Sequence, residues 1–129
     1  MSRLLQLKWW AVLVGTAVDH IASILIGTVH SIVTGPAFST IDWIVSLSIG
    51  TLVTVIGAAT AAVIAVDKPV RHGTAVGMVG MLTGFIIAFT AGATGPLWYA
   101  WAGLLAAIPA GALGGYLVAL GKGRGRPRA

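Results

Sequence analysis

Apolar residues fall into four long runs along this chain, at 8–34, 41–66, 73–92 and 98–120, separated by short stretches rich in Gly, Pro and polar residues. Each run has about twenty residues or more, enough at about 1.5 Å per residue to match a hydrocarbon core of roughly 30 Å. None shows the period-two alternation of a barrel strand. In lipid only helices and closed barrels satisfy the backbone. The pattern therefore predicts an all-α fold, an integral membrane four-helix bundle with short connections.

The breaks follow ordinary helix chemistry. Thr34-Gly35-Pro36 ends the first helix, since Pro lacks an N–H and Gly favours a turn. Ser39 or Thr40 is placed to cap the second helix, with Asp42 in its first turn at the positive end of the dipole. Asp67-Lys68-Pro69 closes that helix, and Val70-Arg71-His72 is expected to bridge to the third, leaving His72 solvated. Thr94-Gly95-Pro96 forms the last break. Trp9, Trp10, Trp43, Trp98, Tyr99 and Trp101 sit at run ends, where interfacial aromatic belts belong. Pro109, inside the fourth run, is expected to kink its helix.

Composition agrees. Of 129 residues, 57% are apolar and 9% charged, against about 25% charged in a soluble domain. The absence of cysteine excludes disulfides and thiolate metal sites. The first run is longer than a signal-peptide core and lacks a cleavage pattern, so it reads as a retained span. These features predict one transmembrane domain over 1–121, with hairpin one at 9–66 and hairpin two at 73–121. A disordered basic tail is expected over 122–129.

Charge adds orientation. With four spans, Arg3, Lys8, Lys68, Arg71, Lys122, Arg124, Arg126 and Arg128, which are all the Lys and Arg, fall on one side. The positive-inside rule then places both termini in the cytoplasm, in a multi-pass protein of the cytoplasmic (inner) membrane. The same placement argues against nucleic acid as a partner. Lys122, Arg124, Arg126 and Arg128 are expected to touch anionic lipid headgroups or a partner.

Two short strings recur. Gly15-Thr16-Ala17-Val18 returns as Gly73-Thr74-Ala75-Val76, and Thr34-Gly35-Pro36 as Thr94-Gly95-Pro96. They suggest two duplicated helical hairpins in parallel orientation, a parallel repeat about an axis along the membrane normal. Asp19 and His20 in the first copy correspond to Gly77 and Met78 in the second, so the polar pair belongs to one half only. Small residues four apart mark expected helix-packing seams: Gly80, Gly84 and Gly92 in the third helix, Gly103, Gly111 and Gly115 in the fourth. Such seams serve packing within the bundle or contact with a second protomer.

The candidate chemistry is one polar stripe. Asp19 lies about ten residues, hence roughly 15 Å, inside Trp9, where a charged acid costs about 2.5–3.5 kcal/mol to insert. Ser23 and His30 follow on the same face, with His30 about three turns beyond Asp19. His20 is turned about 100° away and need not share that environment, and Asp42 should lie near His30. Three readings follow. Asp19 is protonated or hydrogen-bonded and only fixes helix register. Or Asp19, Ser23 and His30 line a proton or cation pathway. Or His20 or His30 binds haem or a metal, a partner chain supplying the missing ligand. No nucleophile motif, metal-binding HExxH or phosphate loop occurs, so no catalytic residue, cofactor or metal is expected.

The stretches at 71–82 (RHGTAVGMVGML) and 107–119 (AIPAGALGGYLVA) resemble a widespread type of small bacterial four-span membrane protein. In that type a His-Gly pair opens helix three, and a Pro followed by Gly-Gly-Tyr marks helix four. Asp19 is similar in position to an acid in its helix one. The resemblance implies four spans and no particular chemistry. The chain is thus expected to be a small non-enzymatic membrane protein, working as a homo-oligomer or as an accessory subunit of a larger membrane complex. A proton- or cation-linked transporter or channel using Asp19 is the alternative.

Overall fold

The computed structural model describes residues 7–91 and 95–124, and within them four helices account for nearly all of the chain. They are α1 (Trp9–Thr34), α2 (Thr40–Ala65), α3 (Pro69–Ala91) and α4 (Leu97–Arg124). All four are long and apolar enough to cross a membrane. Their outward faces carry bare Ile, Leu, Val and Phe, such as Ile32, Phe89 and Leu105. Water would penalise that surface, whereas lipid tails match it.

Local chemistry explains the ends. Gly35, at φ 78°, takes the left-handed conformation that stops α1, and its N–H donates to Ser31 O at 3.0 Å. Ser39, one of the two expected caps of α2, forms a capping box with Asp42: the Ser39 N–H donates to Asp42 Oδ2 at 2.8 Å and the Asp42 N–H donates to Ser39 Oγ at 3.3 Å. Val66 (φ 68°) and Lys68 (φ 46°) turn the chain between α2 and α3.

Two expected boundaries are corrected. The third helix begins at Pro69, so Val70, Arg71 and His72 are its first turn rather than a bridge. Pro is well suited there, because the first helical N–H has no partner to lose. The fourth helix continues through Lys122 to Arg124, three residues into the expected tail. Lys122 Nζ holds it there, donating to Val66 O at 2.6 Å and Ala62 O at 3.5 Å. Lys122 thus caps the end of α2, and its charge suits the negative end of that helix dipole. α4 runs unbroken through Pro109. Arg126, Arg128 and Gly92 lie outside the described residues.

Going round the bundle, α1 packs on α2, α2 on α4, α4 on α3 and α3 on α1. α2 and α3 also touch across the middle, while α1 and α4 do not meet among the described residues. Lys8, Val66, His72 and Lys122 meet at one end, the basic end. Both described chain ends lie there. The turn at 35–39 and Gly95-Pro96 lie at the far end.

Packing is uneven along the bundle. The fully buried residues, including Val12, Ala58, Ala61, Ala75, Val76 and Ala110, lie in the half nearest the basic end. There glycines let backbones touch. A Cβ on Gly15 would sit 2.5 Å from Gly57 O, and one on Gly111 would sit 2.5 Å from Gly73 O and 2.8 Å from Gly77 N. Gly111 and Gly115 therefore pack α4 on the backbone of α3. No backbone atom of a neighbouring helix comes that close at Gly80, Gly84 or Gly103. A Cβ at Gly84 or Gly103 would meet only one leucine side chain, at 3.7 or 3.8 Å, and one at Gly80 would meet only Asp19 Oδ2, at 3.4 Å. Helices touching over part of their length are free to diverge beyond it. The far half opens on that account.

His72 is the other correction. It is fully buried, not solvated. The Lys8 backbone N–H donates to its Nε2 at 2.9 Å, and its Nδ1–H donates to Lys68 O at 3.1 Å. Starting α3 at Pro69 turns this ring inward, where it ties the entry of α1 to the first turn of α3.

Candidate functional site: a cavity with an acid at its floor

The divergence of the helices leaves a cavity of about 450 Å³ between them. Its floor is at Asp19, and it reaches Gly95 and Pro96 at the far end. Gly80, Gly84 and Gly103 form its smooth walls, with Leu47, Met81 and Leu104 as apolar lining. Toward the basic end it is closed by the contact of Gly15 with Gly57.

Asp19 is 5% exposed. Its position follows from the crossing beneath it: Gly57 admits the Asp19 backbone so closely that a Cβ on Gly57 would lie 2.9 Å from Asp19 Cβ. One carboxylate oxygen is satisfied, as Thr54 Oγ1 donates to Asp19 Oδ1 at 3.0 Å. The other, Oδ2, receives no hydrogen bond among the described residues. It faces Gly80 of α3, which has no side chain to cover it. Thr54→Val keeps the shape but leaves Oδ1 without a donor. We expect that variant to lose about 1–3 kcal/mol in a thermal or SDS unfolding titration, with the loss shrinking when Asp19 is also replaced by Leu.

His20, which helical rotation alone left open, lies beside Asp19. Its Nδ1 lies 3.8 Å from Asp19 Oδ2 and 3.0 Å from Thr16 O. The carbonyl can only accept, so Nδ1 carries a proton and is directed there. Its Nε2 lies 2.8 Å from Thr83 Oγ1 on α3. The Thr83 hydroxyl has one proton and three neighbouring acceptors: this nitrogen, Val79 O and Gly80 O.

His30 does not join the stripe. Ser23 lines the cavity with Asp19, but His30 does not. Its ring packs edge-on against Phe38 at 5.2 Å, and its Nε2 is buried without a hydrogen-bond partner among the described residues. Asp42, expected near it, accepts at Oδ2 from the Ser39 N–H and hydroxyl. Among the described residues no group of three or more His, Asp or Glu is gathered for a metal. Trp43 is another departure. Rather than facing lipid as a belt residue, it lines the cavity, its ring 4.7 Å from that of Tyr99 and 4.9 Å from that of Phe38. Gly95 makes room, since a Cβ there would stand 2.7 Å from the Trp43 ring.

Sequence reasoning found Asp19 and Ser23 because an acid in an apolar run is conspicuous. It missed Thr54 and Thr83, which read as ordinary span residues, and took Trp43 and Tyr99 for belt aromatics rather than cavity lining. A Thr in a membrane helix commonly bonds to its own backbone, and both threonines have that option here. Only the neighbouring helix decides otherwise. No family model, curated protein or solved structure matches this chain.

Proposed function

We propose that this is a small non-enzymatic multi-pass membrane protein that binds and passes a proton or a monovalent cation through the cavity, with Asp19 as its site. One observation carries the reading. Asp19 Oδ2 stands without a donor among the described residues, at the floor of a cavity that opens away from it. A buried carboxylate is costly unless paired, and an intramembrane acid facing a cavity is a functional candidate on that ground. By the charge rule the basic end would face the cytoplasm, in a cytoplasmic (inner) membrane, and the far end would open outward.

Two further features support the wider picture. Gly15 and Gly57 cross closely, and Gly73 meets Gly115, the same number of residues apart in the second hairpin. That favours a duplicated hairpin, with Asp19 acquired or kept in one copy. The homo-oligomer or subunit role is placed second. The glycine seams that suggested it are taken up inside the chain at Gly111 and Gly115, or line the cavity at Gly80, Gly84 and Gly103.

Liposome flux tests the reading. Wild type reconstituted with a pH-sensitive dye inside, under imposed H⁺, Na⁺ or K⁺ gradients, is expected to exceed empty liposomes for at least one ion. Asp19→Asn should lower that flux at least tenfold. No flux above empty liposomes from wild type, or equal flux from the variant, refutes the proposal.

A further inference from the structure

We infer that the cavity takes a small organic ammonium ion, its N–H donated to Asp19 Oδ2 and its apolar body lying along Leu47, Met81 and Leu104. This deepens the reading of Asp19 as a cation site and rests on it. The carboxylate is buried and turned into the cavity, with one oxygen held by Thr54 and the other open. An ionised carboxylate is an acceptor only, so its complement is a cation that brings N–H donors. His20 does not fill that role while its Nδ1–H is directed at Thr16 O, 3.0 Å away.

The walls select among cations. Calcium takes six to eight oxygen ligands and magnesium six. Here the side-chain oxygens are those of Asp19, Ser23, Ser46, Thr51, Thr54 and Tyr99, spread along the cavity, with Asp19 and Thr54 bonded to each other at its floor, and the glycine walls belong to helices whose carbonyls are engaged in helical bonds. A bare calcium or magnesium ion would be under-coordinated, and a hydrated one would hold its tight water shell against leucine and methionine. An anion is repelled. A neutral apolar molecule leaves Oδ2 unpaired. An alkyl or aryl ammonium satisfies the oxygen and places carbon against carbon. Toward the far end the lining includes Trp43 and Tyr99, aromatic side chains of the kind that attract an ammonium. The volume of about 450 Å³ falls among small-molecule pockets, which span about 300–1,000 Å³.

Calorimetric titration of the full chain in nanodiscs tests this with three probes. Benzylammonium carries both charge and body, benzyl alcohol the body alone, and sodium the charge alone. Benzylammonium is expected to saturate one site, with benzyl alcohol and sodium at least tenfold weaker. Asp19→Asn should weaken it at least tenfold. Gly103→Leu, which fills the cavity at a position with room for a side chain, should do the same while retaining the wild-type melting profile. That second variant separates loss of site from loss of fold. Benzylammonium binding no tighter than benzyl alcohol, or surviving in both variants, overturns the inference. Sodium binding tighter than benzylammonium also overturns it. Either result combined with Asp19-dependent ion flux in liposomes leaves the cation pathway standing and removes only the ligand class.

Discussion

Gly111→Val is expected to prevent the bundle from closing, with a loss of more than about 3 kcal/mol and little folded protein recovered in mild detergent. The first added carbon would sit 2.5 Å from Gly73 O, 2.8 Å from Gly77 N and 2.9 Å from Gly77 Cα. All three are backbone atoms of α3, so no rotamer change relieves the clash and the whole helix has to move. Moving α3 away from α4 costs more than the local contact, because without a hydrophobic drive between helices in lipid, close packing is much of what joins them. Gly50→Val and Gly27→Val are the controls, since a Cβ at either position meets nothing within 4 Å. Each should stay within about 0.5 kcal/mol of wild type. An SDS unfolding titration followed by circular dichroism reads all three. A stable Gly111→Val protein would mean that α3 and α4 are not apposed as described.

His72→Leu is the second large effect, an expected loss of about 1–3 kcal/mol. Leucine fills similar space but removes the acceptor of the Lys8 backbone N–H, a bond of 2.9 Å at the entry of α1. That N–H has no second acceptor among the described residues, and burying it unpaired costs more than a neutral hydrogen bond contributes. Lys68 O is less affected, because the backbone N–H groups of Arg71 and His72 also reach it. The loss should be accompanied by faster hydrogen exchange at the Lys8 amide. His72→Gln offers a side-chain carbonyl in place of Nε2 and should recover part of the stability. Unchanged exchange at Lys8 in His72→Leu would count against the tie.

Both predictions fall where the linear pattern was mute or misleading. His72 lies between Arg71 and Gly73 in a polar break, and such a residue reads as solvated. Its burial depends on α3 starting at Pro69 rather than Gly73, which turns the ring into the bundle. The seams show the same limit. Small residues four apart say that a face is small, not what meets it. Gly111 meets a backbone, whereas Gly84, with equal spacing, meets empty space beside Leu104. The cap at Ser39 or Thr40 and the stop at Gly35 were legible because their partners are three or four residues away. Helical rotation left His20 open and put His30 on the Asp19 face. Rotation about α1 places a residue on a face, but the distance to α3 is what gives His20 a partner in Thr83 and leaves His30 against Phe38.

What the amino-acid order determined alone is the set of four long apolar helices and their turns, the gathering of basic residues toward one side, and the presence of a single acid deep in the first helix. These depend on hydropathy, local hydrogen bonding and chain length, all of which act within a few residues or along one span. What only the tertiary structure decided is which glycines close on backbone and which leave space, and therefore that Asp19 ends a cavity with one oxygen bonded and the other bare. The reason is that contact between helices depends on where they cross and how far they diverge, a relation among segments distant in sequence that no single stretch carries.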